Sequence, residues 1–299
     1  MTEHTADDLL SDILSTYQLR AEVIDTPQMC GAWQLSTFGQ KRVAFHWLGE
    51  GSGWLHMKNL KKPLPLATGD LVMFPHDAWH MISGKPVFHG EEDREVQDGK
   101  GPMTTLVCGY FDFSGGARNA LTEALPELIL LRAKEGGAAL SALGKMLLSE
   151  AHGQALGRTA LLNKLSDALF VLVLREHIAR SEEPRGLIAA LADPRLRRVL
   201  GALHREPHRD WTLEGMAKLA LMSRTAFAQQ FAERVGQTPM QYLTRHRMML
   251  ALMWLRDEFC SVKDIAGRLG YETEAAFRRA FKRVHGKGPG QMRRVSRTS

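Results

Sequence analysis

The spacing of apolar residues divides the chain into blocks. Asp7 to Thr16 places Leu9, Leu10, Ile13 and Leu14 on one face of a short amphipathic helix. Short strand-like runs follow at 31–38, 42–48, 53–57, 70–74, 79–82 and 104–113, separated by turn residues, a series that predicts a small sandwich or barrel. The polar stretch from Gly84 to Pro102, with Glu91, Glu92, Asp93, Arg94 and Glu95, predicts a long exposed loop. From Ala117 to Arg180 the spacing becomes helical. Leu121, Leu125, Leu128, Ile129 and Leu131 predict one helix, interrupted by Pro126, and Ala139, Leu140, Leu143, Met146 and Leu147 a second. A third, Thr159 to Ile178, is apolar on more than one face and must bury against more than the barrel. Ser181 to Arg185, with Glu182, Glu183 and Pro184, reads as a linker, and Leu187 to Leu191 leads into the last block.

That last block contains one unit written twice. Phe227, Phe231, Gly236 and Pro239 recur 50 positions on as Phe277, Phe281, Gly286 and Pro289. Leu213 and Ala217 recur 49 positions on as Val262 and Ala266, so the second copy has one extra residue between its helices. Each copy predicts helix, sharp turn, helix. In the first, Leu213, Met216, Ala217 and Ala220 form the stripe, Leu221 and Met222 the turn, and Ser223 the N-cap. In the second, Val262, Ile265, Ala266 and Leu269 form the stripe, Gly270 the turn, and Thr273 the cap. The following helices bury Phe227 with Phe231 and Phe277 with Phe281, each an i, i+4 pair. Arg224, Thr225, Ala228 and Gln229 remain on the opposite face of one, and Glu274, Ala275, Arg278, Arg279 and Lys282 on that of the other. This is a helix-turn-helix arrangement, whose second helix enters a DNA major groove. Met240 to Arg256, with Tyr242, Leu243, Met249, Leu250, Met253 and Trp254, predicts a long, mostly buried helix. It would hold the two units about 34 Å apart, one turn of duplex.

Charge agrees. Residues 195–299 carry 21 Lys plus Arg against 9 Asp plus Glu, whereas residues 1–194 carry 18 against 24. A basic module joined to a mildly acidic one is expected where only the C-terminal part meets phosphates. A length of 299 residues suffices for two domains with their own cores, and 44% hydrophobic with 24% charged residues describes an ordinary soluble protein. No apolar run approaches the ~20 residues needed to span a bilayer. Met1 to Asp12 lacks the order of a signal peptide, and Cys30, Cys108 and Cys260 are too few and scattered for a disulfide framework. The expected compartment is the cytoplasm, with no membrane partner.

Trp211, Ala217, Ser223, Phe227, Phe231, Gly236, Thr238, Pro239 and Tyr242, followed by Ile265, Ala266, Gly270, Tyr271, Phe277, Phe281, Lys282, Gly286, Pro289 and Arg293, resemble the two-part motif of the AraC-type transcription regulators. The resemblance implies a seven-helix DNA-binding domain that begins with Pro194 to Arg205. It implies double-stranded promoter DNA and RNA polymerase as partners. By position in the motif, Arg224, Thr225, Ala228 and Gln229 face bases in one groove, and Glu274, Ala275, Arg278 and Arg279 in the next. Arg209, Lys282, Arg283 and Lys287 are the expected phosphate contacts. Ala228 and Ala275 are shorter than the polar side chains often found there, which limits readout to a thymine methyl.

Phe45-His46, Gly51, Gly69-Asp70, Pro75 and His80 are similar to the two half-motifs of a cupin barrel, with Asp77 where a glycine usually follows the proline. With the Cys108-Gly109-Tyr110 strand they resemble the cupin-type N-terminal domain of a subset of these regulators. That implies a domain sensing a small-molecule effector or a metal. His46 and His80 stand at two cupin ligand positions and Cys108 offers a third, a set suited to zinc or another borderline metal. Against a metal, Trp47 and Leu48 follow His46 in place of the paired histidines, and Glu50 is the one carboxylate close by. The candidate effector-binding residues are His46, Trp47, Trp54, His80 and Cys108, with Trp33, Phe45 and Trp79 open to either a pocket or a core role.

The expected chain is therefore α+β and multidomain. It has a cupin-like sensing barrel over residues 1–115, a helical bridge and dimerisation region over 116–185, and an all-α tandem helix-turn-helix domain over 190–299. The leading function is a homodimeric, effector-responsive regulator without catalytic residues. The alternatives are a metal or thiol sensor that uses His46, His80 and Cys108, and a cupin enzyme with a basic tail.

Overall fold

The computed structural model describes residues 8–87, 101–114, 116–117, 119–182, 184–255 and 260–295. Most of the expected polar loop, residues 88–100, lies outside them. The chain forms two compact units, one from Leu19 to Glu182 and one that combines residues up to Gln18 with those from Glu183 onward. The expected division changes in two ways. The first helix, α1 (Leu9–Tyr17), belongs to the C-terminal unit, and the barrel and the helices after it make a single unit.

The first unit is built from β1 (Arg20–Asp25), β2 (Gln28–Cys30), β3 (Gln34–Leu35), β4 (Val43–Glu50), β5 (Ser52–Met57), β6 (Leu64–Ala67), β7 (Leu71–Phe74), β8 (His80–Ser83), β9 (Met103–Asp112) and β10 (Ile129–Leu131), followed by α2 (Gly137–His152) and α3 (Arg158–Arg180). One sheet runs β1-β9-β4-β7-β10, with β2 also on β9, and the other β3-β8-β5-β6. Leu48, Leu55, Val72, Phe74, Ile82, Leu106 and Tyr110 fill the core between them. On β4 the side chains alternate. Ala44 and Leu48 join that core, whereas Phe45 stacks on Phe111 at 4.5 Å, and Phe111 meets Phe170 of α3 at 4.9 Å. The larger sheet is buried on both faces, which is why β4 reads as a nearly unbroken apolar run.

The helix expected over Leu121 to Leu131 is not formed. A 3-10 turn, Thr122–Ala124, is followed by β10, where Ile129 pairs with Met73 and Leu131 with Leu71. Pro126 lacks the N–H that a helix needs, and the β7 edge offers the backbone groups of 129–131 better partners. Strands β1, β2 and β6 escape the hydrophobic pattern because they are short or half-exposed. Asp77 occupies its turn at φ 51, a left-handed conformation that Asp tolerates. Its carboxylate accepts from the N–H groups of Gly39 at 3.0 Å and Lys41 at 2.6 Å, contacts a glycine could not make.

In the C-terminal unit α4 (Gly186–Ala192) is buried along Leu187 to Leu191, and Asp193 caps α5 (Pro194–Arg205), accepting from the Arg195 N–H at 2.9 Å. Helix α1 packs on α5, burying Leu9, Ile13 and Tyr17. Then come α6 (Leu213–Leu219), α7 (Arg224–Val235), α8 (Pro239–Trp254), α9 (Val262–Arg268), α10 (Glu274–His285) and α11 (Pro289–Val295), so α5 to α11 supply the seven helices implied by the motif. The long helix is present as α8, but its buried residues are Pro239, Tyr242, Leu243, His246, Met248 and Ala251, while Met249, Leu250, Met253 and Trp254 are half-buried. His204 and His246 meet within this unit as tilted rings, 3.9 Å between centroids, and His204 Nε2 lies 2.7 Å from the Tyr242 hydroxyl.

Candidate functional site

The two helix pairs repeat down to their caps. Thr212 and Ser261 cap the first helices, each hydroxyl accepting from an N–H three residues on. Ser223 and Thr273 cap the second, accepting from Ala226 and Ala276 at 3.2 Å. Gly236 and Gly286 end them at φ 77 and 74. Phe227, Phe231, Phe277 and Phe281 are fully buried, with ring centroids 5.6 and 5.8 Å apart within the pairs. Large rings on one face fix each helix in its socket and turn the other face outward. There Arg224, Thr225 and Gln229 are exposed and Ala228 is half-buried; Ala275, Arg278, Arg279 and Lys282 are exposed and Glu274 is half-buried.

These residues differ in what already holds them. Arg278 Nε donates to Glu274 at 2.6 Å, and the Gln229 amide donates to Glu233 at 2.9 Å. The side chains of Arg279 and Lys282 have no hydrogen bond or ion pair with the described residues. Arg209 lies over the Trp211 ring at 4.6 Å and pairs with Glu206 at 3.2 Å. Arg247 and Arg293 are structural. The first donates to the carbonyls of Pro207 and Arg209, the second to those of Leu255 and Cys260, so each ties a helix to a loop.

Inside the barrel His46, His80 and Cys108 come together around Thr37. His46 Nε2 and His80 Nε2 are 3.1 Å apart, Thr37 Oγ1 is 3.1 Å from each, and Cys108 Sγ is 3.1 Å from His46 Nδ1. His80 also stacks on Phe74 at 3.7 Å. Burial lowers both imidazole pKa values, that of His80 to about 4, and pushes the Cys108 thiol up. The group is thus neutral at pH 7. A cavity of about 610 Å³ opens beside it, bounded by Thr37, Cys108, Tyr110, Trp79 and Met81. The three metal candidates do not converge. Cys108 meets the Nδ1 edge of His46 and His80 the Nε2 edge, and no cluster of three His, Cys, Asp or Glu suited to a metal occurs among the described residues.

Residues 8–179 match the family model described as Cupin, and residues 216–295 the model described as Helix-turn-helix domain. The first match spans more than half of the chain. An AraC-like transcription regulator of Streptomyces lividans is 31% identical over 96% of this chain and 98% of its own. The chain belongs to the AraC-type transcription regulators. The HTH-type transcriptional regulator AlkR of Acinetobacter baylyi is 28% identical over 97% of this chain and 100% of its own. The crystal structure of the DNA-binding domain of AdpA, in complex with a target DNA, is 31% identical, covers 36% of this chain and 95% of that one, and has a TM-score of 0.34.

In this AraC-type regulator the two halves of the expected site fare differently. All nine expected DNA-facing residues lie on α7 or α10, none of them fully buried. Of the effector candidates, Cys108 lines the cavity, and His46 and His80 stand behind Thr37. Trp47 points out of the barrel, its indole against Gly49 and Gly144, in a separate groove of about 310 Å³ beside α2. Trp54 borders neither space; Trp33 fills the core and Phe45 the outer face, which leaves Trp79 as the tryptophan on the cavity wall. Thr37 has no signal of its own in the sequence; Tyr110 belongs to the Cys108-Gly109-Tyr110 strand of the cupin resemblance and, two residues after Cys108, it shares that residue's face.

Proposed function

We propose that this DNA-binding regulator reads two successive major grooves with α7 and α10 and answers to a small molecule held in the 610 Å³ cavity of its cupin domain. The observation that carries the reading is the pair of matching helix-turn-helix units, each with a buried phenylalanine pair on one face and exposed polar residues on the other. Arg279 is the leading base reader, since a free guanidinium can bond guanine with two hydrogens. Lys282, Arg283 and Lys287 serve the phosphates. Arg209 is a weaker candidate than its charge suggests, because Glu206 and Trp211 already engage it.

The barrel acts as receptor rather than catalyst. Its polar groups hydrogen-bond to one another, and a cavity of this size lies within the ordinary range for small ligands. A ligand shifts the protein only by binding its two states differently, so the effector must change the fraction of chains competent for DNA. The regulator works as a homodimer in the cytoplasm and meets RNA polymerase at the promoter. Helices α2 and α3 are the proposed dimer surface, where Met146 and Leu161 stand exposed at 53% and 43%. No helix of the described residues is long and apolar enough to cross a membrane. Genome-wide mapping of bound sites, followed by duplex binding at rising salt, tests the reading. Discrete sites with salt-sensitive affinity are expected, and uniform affinity for every duplex would contradict it.

A further inference from the structure

The chemistry of the effector can be read from the cavity floor, given the receptor reading of the barrel. His80 Nδ1 lies 2.8 Å from the Ala78 carbonyl. A carbonyl only accepts, so Nδ1 carries the proton of the neutral ring and Nε2 a lone pair. His46 Nε2 faces that lone pair at 3.1 Å. Two lone pairs would repel, so the His46 proton sits on Nε2 and Nδ1 accepts. Cys108, 3.1 Å from Nδ1, is then a donor with its S–H intact. Thr37 Oγ1, 3.1 Å from both Nε2 atoms, accepts from His46 and gives its own proton to His80. Every proton runs one way, from Cys108 to Ala78. Tyr110 commits its hydroxyl proton to the Thr37 carbonyl at 3.2 Å, and Ser36 its own to the His80 carbonyl at 2.7 Å.

What remains for a visitor at the floor is lone pairs, on Thr37 Oγ1, the Cys108 sulfur and the Tyr110 oxygen, all on residues that line the cavity. The cavity's other side-chain N–H donors belong to exposed Gln40 and Lys58 and to half-buried Gln34 and Trp79, away from Thr37 and Cys108 in the chain's pairings. A carboxylate or phosphate pushed to the floor gives up its water and meets acceptors alone. An ammonium meets lone pairs but no buried counter-charge, since Asp25 is exposed. A hydroxyl supplies the missing proton without a charge to desolvate, while Leu35, Trp79 and Met81 offer an apolar wall. We infer that the cavity takes an uncharged amphiphile with a hydroxyl head, an alcohol or phenol, which donates to the acceptors around Thr37 and lays its apolar body along Trp79 and Met81.

Calorimetric titration of the full chain with 1-octanol and with octanoate, which share a tail and differ in the head, tests this. Octanol binding at least about tenfold tighter than octanoate is expected. Thr37→Val keeps the side-chain shape and lets His46 Nε2–H bond His80 directly, so it should weaken octanol about tenfold. Thr37→Ser should retain tight octanol binding, and circular dichroism checks that both variants fold. Octanoate binding as tightly as octanol, or octanol indifferent to Thr37→Val, overturns the hydroxyl assignment and leaves the receptor reading standing. If neither probe binds while the chain still binds its DNA sites, the assignment and the receptor reading of this cavity fall together.

Discussion

Leu221 and Gly270 occupy the same turn position in the two helix-turn-helix units, 49 residues apart, and both have positive φ, 56 for the leucine and 75 for the glycine. The turn geometry is therefore imposed by the packing of the helices and not by the residue. A left-handed leucine costs about 1 to 2 kcal/mol, and Leu221 is 79% exposed, so it regains little by packing. Leu221→Gly should stabilise the unit by up to about 1 kcal/mol once the looser unfolded chain is counted. Gly270→Ala should destabilise it by more than about 2 kcal/mol, because the new Cβ would lie 2.1 Å from the His208 carbonyl oxygen. Urea midpoints measure both; equal midpoints for the two variants would contradict the shared turn.

Arg279 and Lys282 stand three residues apart on α10, and their removal should read differently. Arg279→Ala should cost about 1 to 3 kcal/mol on the preferred site and relax one base position. Lys282→Ala should weaken all sequences alike and reduce the salt slope by about one. Equal loss on every duplex for Arg279→Ala would remove its assignment as a base reader. Competition binding against single-base site variants at several salt concentrations distinguishes the two patterns.

Acid should loosen both units. His80 and His246 are each held near pKa 4 by burial, against about 6.5 in the unfolded chain. Between those values the unfolded state binds the proton and the folded state does not. The stability is fully present above about pH 6.5 and is lost as pH falls toward 4, on the order of 3 kcal/mol for His80. Urea midpoints at pH 7.5 and 5 check the sign, and the fall should be shallower in His80→Gln. Midpoints that do not move with pH would contradict the buried neutral state.

The DNA-binding half was legible because its signals are local and doubled. Phe227 and Phe231 identify a buried face without help from any distant residue, and the same pair returns at Phe277 and Phe281. The barrel was less legible because its signals depend on parity and on partners. Period two along β4 puts Trp47 and Phe45 on the face opposite His46, so placing His46 inside already excluded both from the cavity. Thr37 lies in a loop and carries no pattern. Leu9, Ile13 and Tyr17 mark one face of α1 as buried, but amphipathicity cannot say that the partner is α5, nearly 200 residues away. β10 needed knowledge of the free edge of β7, a tertiary fact that overrode the helical spacing of Leu121 to Leu131.

A doubled reader requires both α7 and α10 to engage DNA at once. In a bound site identified by mapping, 5 bp inserted between the two contacted segments rotates one groove by about half a turn, while a 10 bp insertion restores the face but lengthens the span. Binding of the full chain to these duplexes is the decisive measurement. The 5 bp insertion should lower affinity to that of a site with one segment scrambled, and Arg279→Ala should then have no further effect at the displaced segment. Unchanged affinity after the 5 bp insertion would mean that a single unit reads the site and would contradict the doubled reader.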